Sequence, residues 1–303
     1  MPEWDAEVEI DETLVRALLS DQFPELDASS ARLLGEGWDN AVWVLEERWA
    51  FRFPRREIAL PGVQRELAIS PRLATLLPLP IPVPRFIGKP SDRYPWPFFG
   101  APLLRGREAA DAGLADEQRV ELGRALGRFL RALHAPATLS RVDPGLELPL
   151  DPNRRTDMRA RVDIAGTWLA ELENLGWQIR GDPGVLFESA LELDPPVAEV
   201  VVHGDLHLRH VLVHEGALSG VIDWGDVCRA DPSADLMLVW SFLPTAGREA
   251  FTLEYGPVAD EQAVRARVLA ISLCAALALF ARDKGLGVLE RECVAGLERT
   301  LID

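Results

Sequence analysis

The segments HGDLHLRHVLV (203–213) and GVIDWGD (220–226) decide how the rest of this sequence is interpreted. Each is a polar loop that follows apolar residues of strand character, such as Val200–Val202 before the first loop. Asp205 and Asp223 therefore come at the ends of neighbouring predicted strands, and we expect them to face one cleft. Phosphoryl transfer needs such a pair, because one carboxylate orients the attacking hydroxyl and another holds the metal that neutralises the phosphate oxygens.

Taken together, the two motifs resemble the catalytic and metal-binding loops of the aminoglycoside phosphotransferase family, which extends to macrolide phosphotransferases and other small-molecule kinases. Ordinary turn residues explain either loop alone, but not both in this order after apolar strands. The resemblance implies that Asp205 is the catalytic-loop aspartate and that Asp223 coordinates Mg²⁺ on the nucleotide phosphates. It also implies that His203 braces the loop and that Asp235 ties a following helix back to it.

The order of predicted strands and helices along the chain indicates two parts, and the resemblance implies the same fold class. The expected fold is α+β and protein-kinase-like, with a small β-rich N-lobe and a larger, mainly helical C-lobe. An embedded β-hairpin in the C-lobe carries the catalytic and metal loops. The expected boundaries are 1–99 for the N-lobe that clamps the nucleotide, 100–107 for a hinge, and 108–303 for the C-lobe with the acceptor pocket.

Position 210 departs from the commoner pattern of the family. Most relatives have asparagine there as the second metal ligand, whereas this chain has His210, as some macrolide kinases do. An imidazole is a softer ligand than an amide oxygen and suits Mg²⁺ less well. We therefore expect His210 and Asp223 to hold Mg²⁺, with a greater tolerance of Mn²⁺ than an asparagine enzyme shows.

A glycine-containing turn stands where a kinase places the loop that covers the phosphates. Gly35 and Gly37 belong to LGEGWDN (34–40), a G-x-G-x-x-N pattern that lacks a third glycine. A simple hairpin turn explains the same residues equally well. The assignment therefore depends on the strand that follows.

That strand, residues 50–54, carries Arg52 at the position where many relatives have a phosphate-pairing lysine. The guanidinium fork can bridge a phosphate and a carboxylate. Its expected partner is Glu66 on the next helix, and Glu57 is the weaker candidate. The alternative is that Arg52 faces solvent on an edge strand.

Residues 98–104 (FFGAPLL) resemble the hinge whose backbone groups hydrogen-bond the purine. Phe99, near the gatekeeper position, Ala101 and Leu103 are the expected contacts. A buried strand explains this segment equally well. The preceding proline-rich stretch, 78–97, fits extended edge segments and turns.

Composition limits the classes of partner. The net charge of −16 disfavours nucleic acid, because a phosphate backbone needs a basic surface. It is compatible with a cationic acceptor, although an acidic surface also keeps proteins soluble. Only Lys89 and Lys284 of the 32 basic residues are lysines, so a phosphate-binding cation in this chain is expected to be an arginine.

The sequence predicts a cytoplasmic protein without a membrane partner. Its first residues are acidic and lack the basic-then-apolar layout of a signal peptide. The longest apolar run, Val268–Ala281, is shorter than the ~20 residues of a membrane span. The three cysteines are too few and too scattered for a disulfide framework or a zinc site.

The expected function is that of an enzyme, a small-molecule kinase that transfers the γ-phosphoryl group of ATP or GTP to a hydroxyl of a small acceptor. Aminoglycoside and macrolide antibiotics are candidate acceptors. The main alternative is a catalytically weak or inactive nucleotide-binding relative, suggested by Arg52 and His210.

A protein kinase is disfavoured because few residues separate IDWGD from the next helix. A metalloenzyme site on His203, His207 and His210 leaves both aspartates unexplained. The oligomeric state stays open.

Overall fold

A computed structural model describes residues 6–37, 39–145, 147–196 and 200–302, and the chain divides into two compact units. The first comprises Met1–Thr75, Pro80–Leu104 and Asp223–Asp226, and the second comprises Leu76–Leu79, Arg105–Ile222 and Val227–Asp303. The sequence assigns Asp223–Asp226 to the C-lobe, whereas this segment packs with the first unit. That difference arises from contacts between residues distant in the chain, which local patterns do not report.

The first unit contains, within the described residues, the helices and strands that follow. They are α1 (Glu12–Gln22), β1 (Arg32–Glu36), β2 (Asn40–Leu45), β3 (Trp49–Pro54), α2 (Leu60–Leu73), β4 (Phe86–Gly88) and β5 (Phe98–Pro102), with short 3₁₀ turns at Ala28–Ser30, Glu57–Ala59 and Trp224–Asp226. Helix α2 continues over Pro71 and ends two residues later, at Leu73.

An antiparallel sheet of order β1-β2-β3-β5-β4 forms the centre of the first unit. Side chains alternate between its faces along β3, as the period of a strand requires. Phe51 and Phe53 are fully buried and Phe53 stacks on Phe98, with ring centroids 4.6 Å apart. The intervening Arg52 therefore points to the opposite face, as its alternation with the two aromatic residues predicts. The proline-rich stretch supplies β4 at the edge of this sheet.

The second unit is mainly helical. Within the described residues it contains β6 (Arg107–Glu108), α3 (Asp116–Leu133), α4 (Pro136–Val142), α5 (Met158–Asn174), α6 (Gly184–Leu191), β7 (Val200–Val202), β8 (Val211–His214), β9 (Ala217–Val221), β10 (Cys228–Ala230), α7 (Ser233–Phe242), α8 (Thr245–Tyr255), α9 (Asp260–Asp283) and α10 (Gly287–Ile302), with a 3₁₀ turn at Ala109–Asp111. The predicted division into a β-rich and a mainly helical part is confirmed.

Two small sheets support the catalytic and metal motifs. Strands β8 and β9 form the predicted hairpin, and β6 pairs with β8. Glu215 and Gly216 close the hairpin with φ of 50° and 79°, which are the positive values of the two-residue turn that suits twisted strands. Strand β7, which runs into the first motif, pairs antiparallel with β10. The loop of the first motif, 203–210, therefore lies between β7 and β8, and the loop of the second motif begins directly after β9.

Helix α9 is long and apolar enough, by length and composition, to cross a membrane. It packs against α5, α7 and α10, and residues such as Val268, Ile271 and Ala275 are fully buried there. These contacts are typical of a core helix of a folded domain. The three cysteines are likewise buried and unbridged.

Candidate active site

One guanidinium in the first unit joins two carboxylates that are far apart in sequence. Arg52 Nη1 lies 2.9 Å from Glu66 Oε2, and Arg52 Nη2 lies 2.5 Å from Asp223 Oδ1. The expected pairing with Glu66 is therefore present, and Glu57 is not the partner. Only 15% of the Arg52 side chain is exposed and β3 has a neighbour on each side, so the reading of Arg52 as a solvent-facing edge residue is wrong.

Helix α2 brings Glu66 to this position because it lies on the buried stripe of the helix. Val63, Glu66, Ile69, Ser70 and Leu73 are the buried residues of α2, and their spacing of three to four places them on one face. An acidic residue on such a stripe needs a charged partner, since an isolated buried carboxylate is costly. Arg52 supplies that partner.

Burial and neighbouring charges shift the pKa values of this cluster. Burial raises the pKa of Glu66 to about 7, against the lowering effect of Arg52, and the nearby Asp223 adds to the rise. Burial by itself lowers the pKa of Arg52, but Asp223 and Glu66 outweigh it and the pKa is raised, so Arg52 carries its charge. One cation thus contacts two carboxylates, Glu66 and Asp223.

The turn that carries Asp223 is attached closely to α2. Arg65 donates from Nε and Nη2 to the carbonyl oxygen of Gly225, at 3.1 and 2.7 Å. A Cβ on Gly62 would lie 3.1 Å from the same oxygen, so glycine permits this close approach. Asp223 itself has φ of 67°, an unusual value for a residue other than glycine and one that clusters at functional sites.

Sequence reasoning did not identify two residues of this region. Asn40 stands where the third glycine of the phosphate loop is missing, and its amide oxygen accepts from Arg52 Nη2 at 2.9 Å and from Nε at 3.2 Å in the orientation that satisfies both groups. Arg65 was the other omission. The absence of a third glycine was a usable signal for Asn40, whereas nothing local distinguished Arg65 from other exposed-looking helix arginines.

Gly35 and Gly37 lie where β1 ends and the turn to β2 begins. Gly35 pairs with Val42 at an irregularity in the register, and the Gly37 N–H donates to the Asn40 carbonyl oxygen at 2.8 Å. Within the described residues, an added Cβ meets nothing within 4 Å at Gly35 and only an atom at 3.7 Å at Gly37. The backbone there is open to a ligand. Trp38, in the same turn, lies outside the described residues.

The predicted hinge forms strand β5 and its continuation. Phe99 is the cross-strand partner of Arg52 and Ala101 that of Ala50, so Phe99 and Arg52 lie on the same face of the sheet. Leu103 donates its N–H to the carbonyl oxygen of Arg48 at 2.7 Å. That N–H is therefore used within the protein, and the contact of Leu103 with a purine stays a prediction.

One arginine and two histidines of the second unit surround Asp205. Arg155 Nη2 lies 3.0 Å from Asp205 Oδ1, while His207 Nε2 and His210 Nδ1 each lie 3.6 Å from Oδ2. Burial alone raises the pKa of Asp205, but Arg155 and then the two histidines outweigh it and hold the pKa well below its ordinary value. Asp205 is therefore ionised at neutral pH.

Backbone hydrogen bonds fix the shape of this loop. Asp235 accepts from the N–H groups of His203 and Gly204 at 2.8 and 3.0 Å, so it ties α7 to the loop as the resemblance implies. Gly204 has φ of 83°, a value that glycine adopts at a lower energetic cost than other residues. Behind Asp235, His134 Nε2 lies 3.1 Å from the carboxylate and His134 Nδ1 lies 2.9 Å from the hydroxyl of Tyr255. Sequence reasoning missed both of these supporting residues.

The ring nitrogens of the histidines have assignable roles. His203 accepts from the Asp205 N–H through Nδ1 and donates through Nε2 to the Ile222 carbonyl oxygen, so it braces the loop and has no nitrogen left for a metal. His210 donates through Nδ1 to the Asp205 carbonyl oxygen at 2.7 Å, which leaves the lone pair of the neutral ring on Nε2. His207 accepts through Nδ1 from Arg209, so its neutral ring presents an Nε2–H to Asp205.

These hydrogen bonds bear on the alternative of a metalloenzyme. Three possible ligand atoms lie within 4.8 Å of one another, one each from Asp205, His207 and His210. His203 is not part of that group. A metal on these three residues would have to replace the proton that His207 presents to Asp205. The histidine triplet considered from the sequence is therefore not brought together as a metal site.

Solved structures of known enzymes share this fold. The GDP complex of wild-type aminoglycoside 2'-phosphotransferase-IIIa matches with a TM-score of 0.69 at 20% identity, covering 97% of this chain and 99% of that one. Macrolide 2'-phosphotransferase MphH from Brachybacterium faecium, solved as the apoenzyme, matches with a TM-score of 0.63 at 22% identity, covering 95% and 98%. The predicted protein-kinase-like α+β fold is confirmed.

Among proteins known by sequence, the uncharacterized protein YcbJ of Bacillus subtilis (strain 168) is 26% identical over 208 residues. That match covers 63% of this chain and 61% of the relative, so the chain spans less than two thirds of that protein's length.

The strongest statement comes from the family profile described as "Phosphotransferase enzyme family", which matches residues 30–268. This range is most of the chain, and it includes both motifs as well as Arg52 and Glu66. The resemblance to aminoglycoside phosphotransferases is thereby confirmed, and this chain belongs to the phosphotransferase enzyme family.

Proposed function

We propose that this chain is a small-molecule kinase, which transfers the γ-phosphoryl group of ATP or GTP to a hydroxyl of a small acceptor. The observation that carries the proposal is the state of Asp205, a largely buried carboxylate in the motif that resembles the family's catalytic loop, which Arg155 and two histidines keep ionised. An ionised carboxylate at this position accepts a hydrogen bond from the acceptor hydroxyl and orients it for attack. Membership of the phosphotransferase family supports the same reaction class.

In the first unit we assign the nucleotide contacts to the face of the sheet that carries Arg52. Its guanidinium has the geometry to bind a phosphate while it keeps Glu66, because the fork offers several donors. The open backbone at Gly35 and Gly37 suits phosphate oxygens. Phe99 and Ala101 are assigned to the purine side. The GDP bound in the aminoglycoside enzyme of the same fold supports a nucleotide co-substrate.

The residues present fit a magnesium ion. Asp223 offers a carboxylate oxygen, the ligand type that Mg²⁺ prefers. His210 donates Nδ1–H to a backbone carbonyl oxygen, which is the usual support of a histidine that binds metal through Nε2. Asp223 and His210 would hold the ion, with Mn²⁺ as an alternative. When bound, it supplies neutralisation of the charge on the phosphate oxygens.

The proposed reaction is an in-line displacement at the γ-phosphorus. The acceptor hydroxyl, hydrogen-bonded to Asp205, forms the new oxygen–phosphorus bond as the bond to the β–γ bridging oxygen breaks. The nucleoside diphosphate leaves with that oxygen, and the hydroxyl proton passes to the Asp205 carboxylate and then to solvent. Because the pKa of Asp205 is low, we assign it mainly to orientation of the hydroxyl and only late acceptance of the proton.

Aminoglycosides and macrolides are the first acceptors to test, since enzymes named for them share the fold. A cationic acceptor agrees with the net charge of −16. The choice between these and other alcohols rests on experiment.

The test is an assay of diphosphate release from ATP and from GTP with Mg²⁺, without acceptor and with aminoglycosides, macrolides and common metabolite alcohols. Phosphorylated product is identified by mass spectrometry, with Asp205→Ala as the blank and Asp205→Asn as the isosteric variant. We expect the wild-type chain to turn over nucleotide, and we expect Asp205→Ala and Asp205→Asn each to reduce that rate by at least about 10²-fold. Nucleotide binding in a thermal-shift assay without any turnover would instead identify a non-catalytic relative.

A further inference from the structure

The segment before α5 brings an arginine directly onto the catalytic carboxylate. Arg155 Nη2 lies 3.0 Å from Asp205 Oδ1, and only 17% of the Arg155 side chain is exposed. Neither of the two sequence motifs contains this residue. With two lysines in the chain, both of them exposed, the cation paired with Asp205 is supplied by an arginine from another segment.

A tight turn presents Arg155. The carboxylate of Asp151 accepts from the N–H of Arg155 at 2.8 Å, and from the N–H and hydroxyl of Thr156 at 2.9 and 2.6 Å. Asp151 and Arg154 have φ of 32° and 48°, in the left-handed region that residues other than glycine rarely adopt. Backbone conformations of this cost persist only where the surroundings impose them, and they cluster at functional sites.

The turn is hydrogen-bonded to the sheet that carries the catalytic loop. Leu150 forms a parallel bridge with Arg229 of β10, reinforced by Asp151 N–H to the Arg229 carbonyl oxygen at 3.0 Å and by Arg229 N–H to Pro149 at 2.9 Å. Arg229 in turn pairs with Val201 of β7, the strand that leads into His203. Arg155 and Asp205 are therefore attached to the same framework, at the ends of two segments joined through β10.

The two oxygens of Asp205 have different surroundings. Oδ1 is bound by Arg155, whereas Oδ2 faces His207 Nε2 and His210 Nδ1 at 3.6 Å each, longer than a hydrogen bond. A carboxylate held at one oxygen loses the rotation about its terminal bond. Oδ2 is then presented in a constant direction.

We propose that Arg155 is a positioning residue for phosphoryl transfer, which binds Oδ1 of Asp205 and so directs Oδ2 toward the acceptor hydroxyl. This inference rests on the proposed function. It differs from a purely structural role, in which Arg155 only neutralises a buried charge, and from direct binding of an anionic acceptor. Each of the three roles predicts a different pattern in a double-mutant cycle.

The experiment measures nucleotide hydrolysis under single-turnover conditions, with enzyme in excess over labelled ATP·Mg²⁺ or GTP·Mg²⁺. Water is the acceptor, so no acceptor needs to be known. The variants of the full chain are Arg155→Gln, Arg155→Lys, Asp205→Asn and the double variant Arg155→Gln with Asp205→Asn. Arg159→Gln, an exposed arginine on the following helix, is the matched control.

We expect Arg155→Gln to lower the rate by roughly 10²-fold, because small misplacements of a catalytic group have effects of that size. Nucleotide affinity and the thermal midpoint should stay near those of the wild type. Arg155→Lys should recover part of the rate, since an ammonium can still pair with Oδ1. In the Asp205→Asn background, Arg155→Gln should change the rate by less than about threefold, because residues that act as a unit are not additive.

Equal effects of Arg155→Gln in both backgrounds would overturn the proposal, and so would a wild-type rate in the single variant. A fall of thermal midpoint and nucleotide affinity together would assign Arg155 a structural role. If the rate of Asp205→Asn is below detection, the comparison of Arg155→Lys with Arg155→Gln decides. An Arg155→Lys rate no higher than that of Arg155→Gln overturns the proposal. If the wild-type chain neither hydrolyses nucleotide nor transfers a phosphoryl group to any acceptor, the proposed function itself is wrong.

Discussion

At the scale of single residues, the fork of Arg52 performs the task that many relatives give to a lysine. It contacts Glu66 and Asp223 at the same time and donates to the amide oxygen of Asn40 as a third partner. A guanidinium reaches several partners in one plane, whereas an ammonium is a single point of charge. The substitution at this position is therefore compatible with a phosphate-binding role.

Replacement of Arg52 tests this role. We expect Arg52→Ala to raise the nucleotide KM and to lower kcat, with a loss of roughly 10² in kcat/KM for one removed charged donor. The kcat/KM of Arg52→Lys should lie between those of the wild type and Arg52→Ala, because lysine keeps the charge but cannot hold both carboxylates in the fork geometry. Steady-state diphosphate release measures both variants, with Arg48→Ala at the exposed β2–β3 turn as the control. Near-normal kinetics of the alanine variant would remove Arg52 from the site.

Position 210 allows a second test at this scale. If His210 contributes to metal binding through Nε2, His210→Asn replaces a nitrogen ligand by an amide oxygen, which favours Mg²⁺ over Mn²⁺. We expect the ratio of Mg²⁺-supported to Mn²⁺-supported turnover to rise by a few-fold, about three or more. Titration of each metal at saturating nucleotide gives the ratio. An unchanged ratio would show that His210 does not select the metal.

At the scale of elements, α2 and the Trp224–Asp226 turn behave as one packed pair within the first unit. The turn's backbone approaches Gly62, and Arg65 binds the Gly225 carbonyl oxygen. The Trp224 backbone N–H also bonds to Glu66, which lowers the pKa that burial raises. Displacement of α2 would therefore move Asp223 along with it.

The variant Gly62→Ala tests this coupling. Its Cβ would lie 3.1 Å from a backbone oxygen, so the turn must shift by a few tenths of an ångström. We expect kcat to fall by up to roughly tenfold, while the thermal midpoint stays level or rises, because alanine favours a helix over glycine. Gly166→Ala in α5 is the matched control, since nothing described lies within 4 Å of its added Cβ. Equal activity of both variants would contradict the coupling.

At the scale of the whole molecule, the buried cluster around Arg52 links folding to pH. The pKa of Glu66 is raised from its ordinary 4.5 to about 7, so the folded chain keeps a proton that the unfolded chain loses. Between these pH values the folded state binds more protons than the unfolded state, and the free energy of unfolding falls as pH rises. The contribution is fully present below pH 4.5 and is lost as pH rises through about 7.

Urea unfolding between pH 5 and pH 8, without nucleotide or divalent metal, measures this dependence. The net charge of −16 also weakens the folded state as acidic groups ionise, so the wild-type slope alone is not decisive. Glu66→Gln removes this titrating group and keeps the shape of the side chain. We expect a shallower fall of unfolding free energy with pH in this variant. Identical slopes for both proteins would show that Glu66 is ionised throughout.

Much of the fold was predictable because its signals are local. Alternation along β3 places Arg52 on the face opposite two buried aromatic residues, and the apolar residues Val200–Val202 before the first motif form the predicted strand β7. The proline-rich stretch correctly indicated edge structure. The hinge was less predictable, because strand pairing with β3 decides which backbone groups of 98–104 are already used.

Only part of the site was predictable, because the rest of it depends on contacts between residues that are distant in the sequence. Asp205, Asp223 and the pairing of Arg52 with Glu66 follow from motifs and strand–helix order. The second partner of Arg52, the assignment of Asp223–Asp226 to the first unit, and the roles of Asn40 and Arg65 depend on contacts across the tertiary structure. That Asp205 and Asp223 serve one nucleotide stays a prediction.

Local patterns in this chain were sufficient to identify its family, its two-part architecture and the aspartates of its motifs, because spacing and periodicity act over a few residues. Three-dimensional packing alone selected which arginines meet which carboxylates, since nearly all of the 32 basic residues are the same amino acid. Arg155 reaches Asp205 only because a strained turn and strand β10 bring together segments about fifty positions apart. Charge pairing of that kind depends on distance in space, which a linear sequence does not contain.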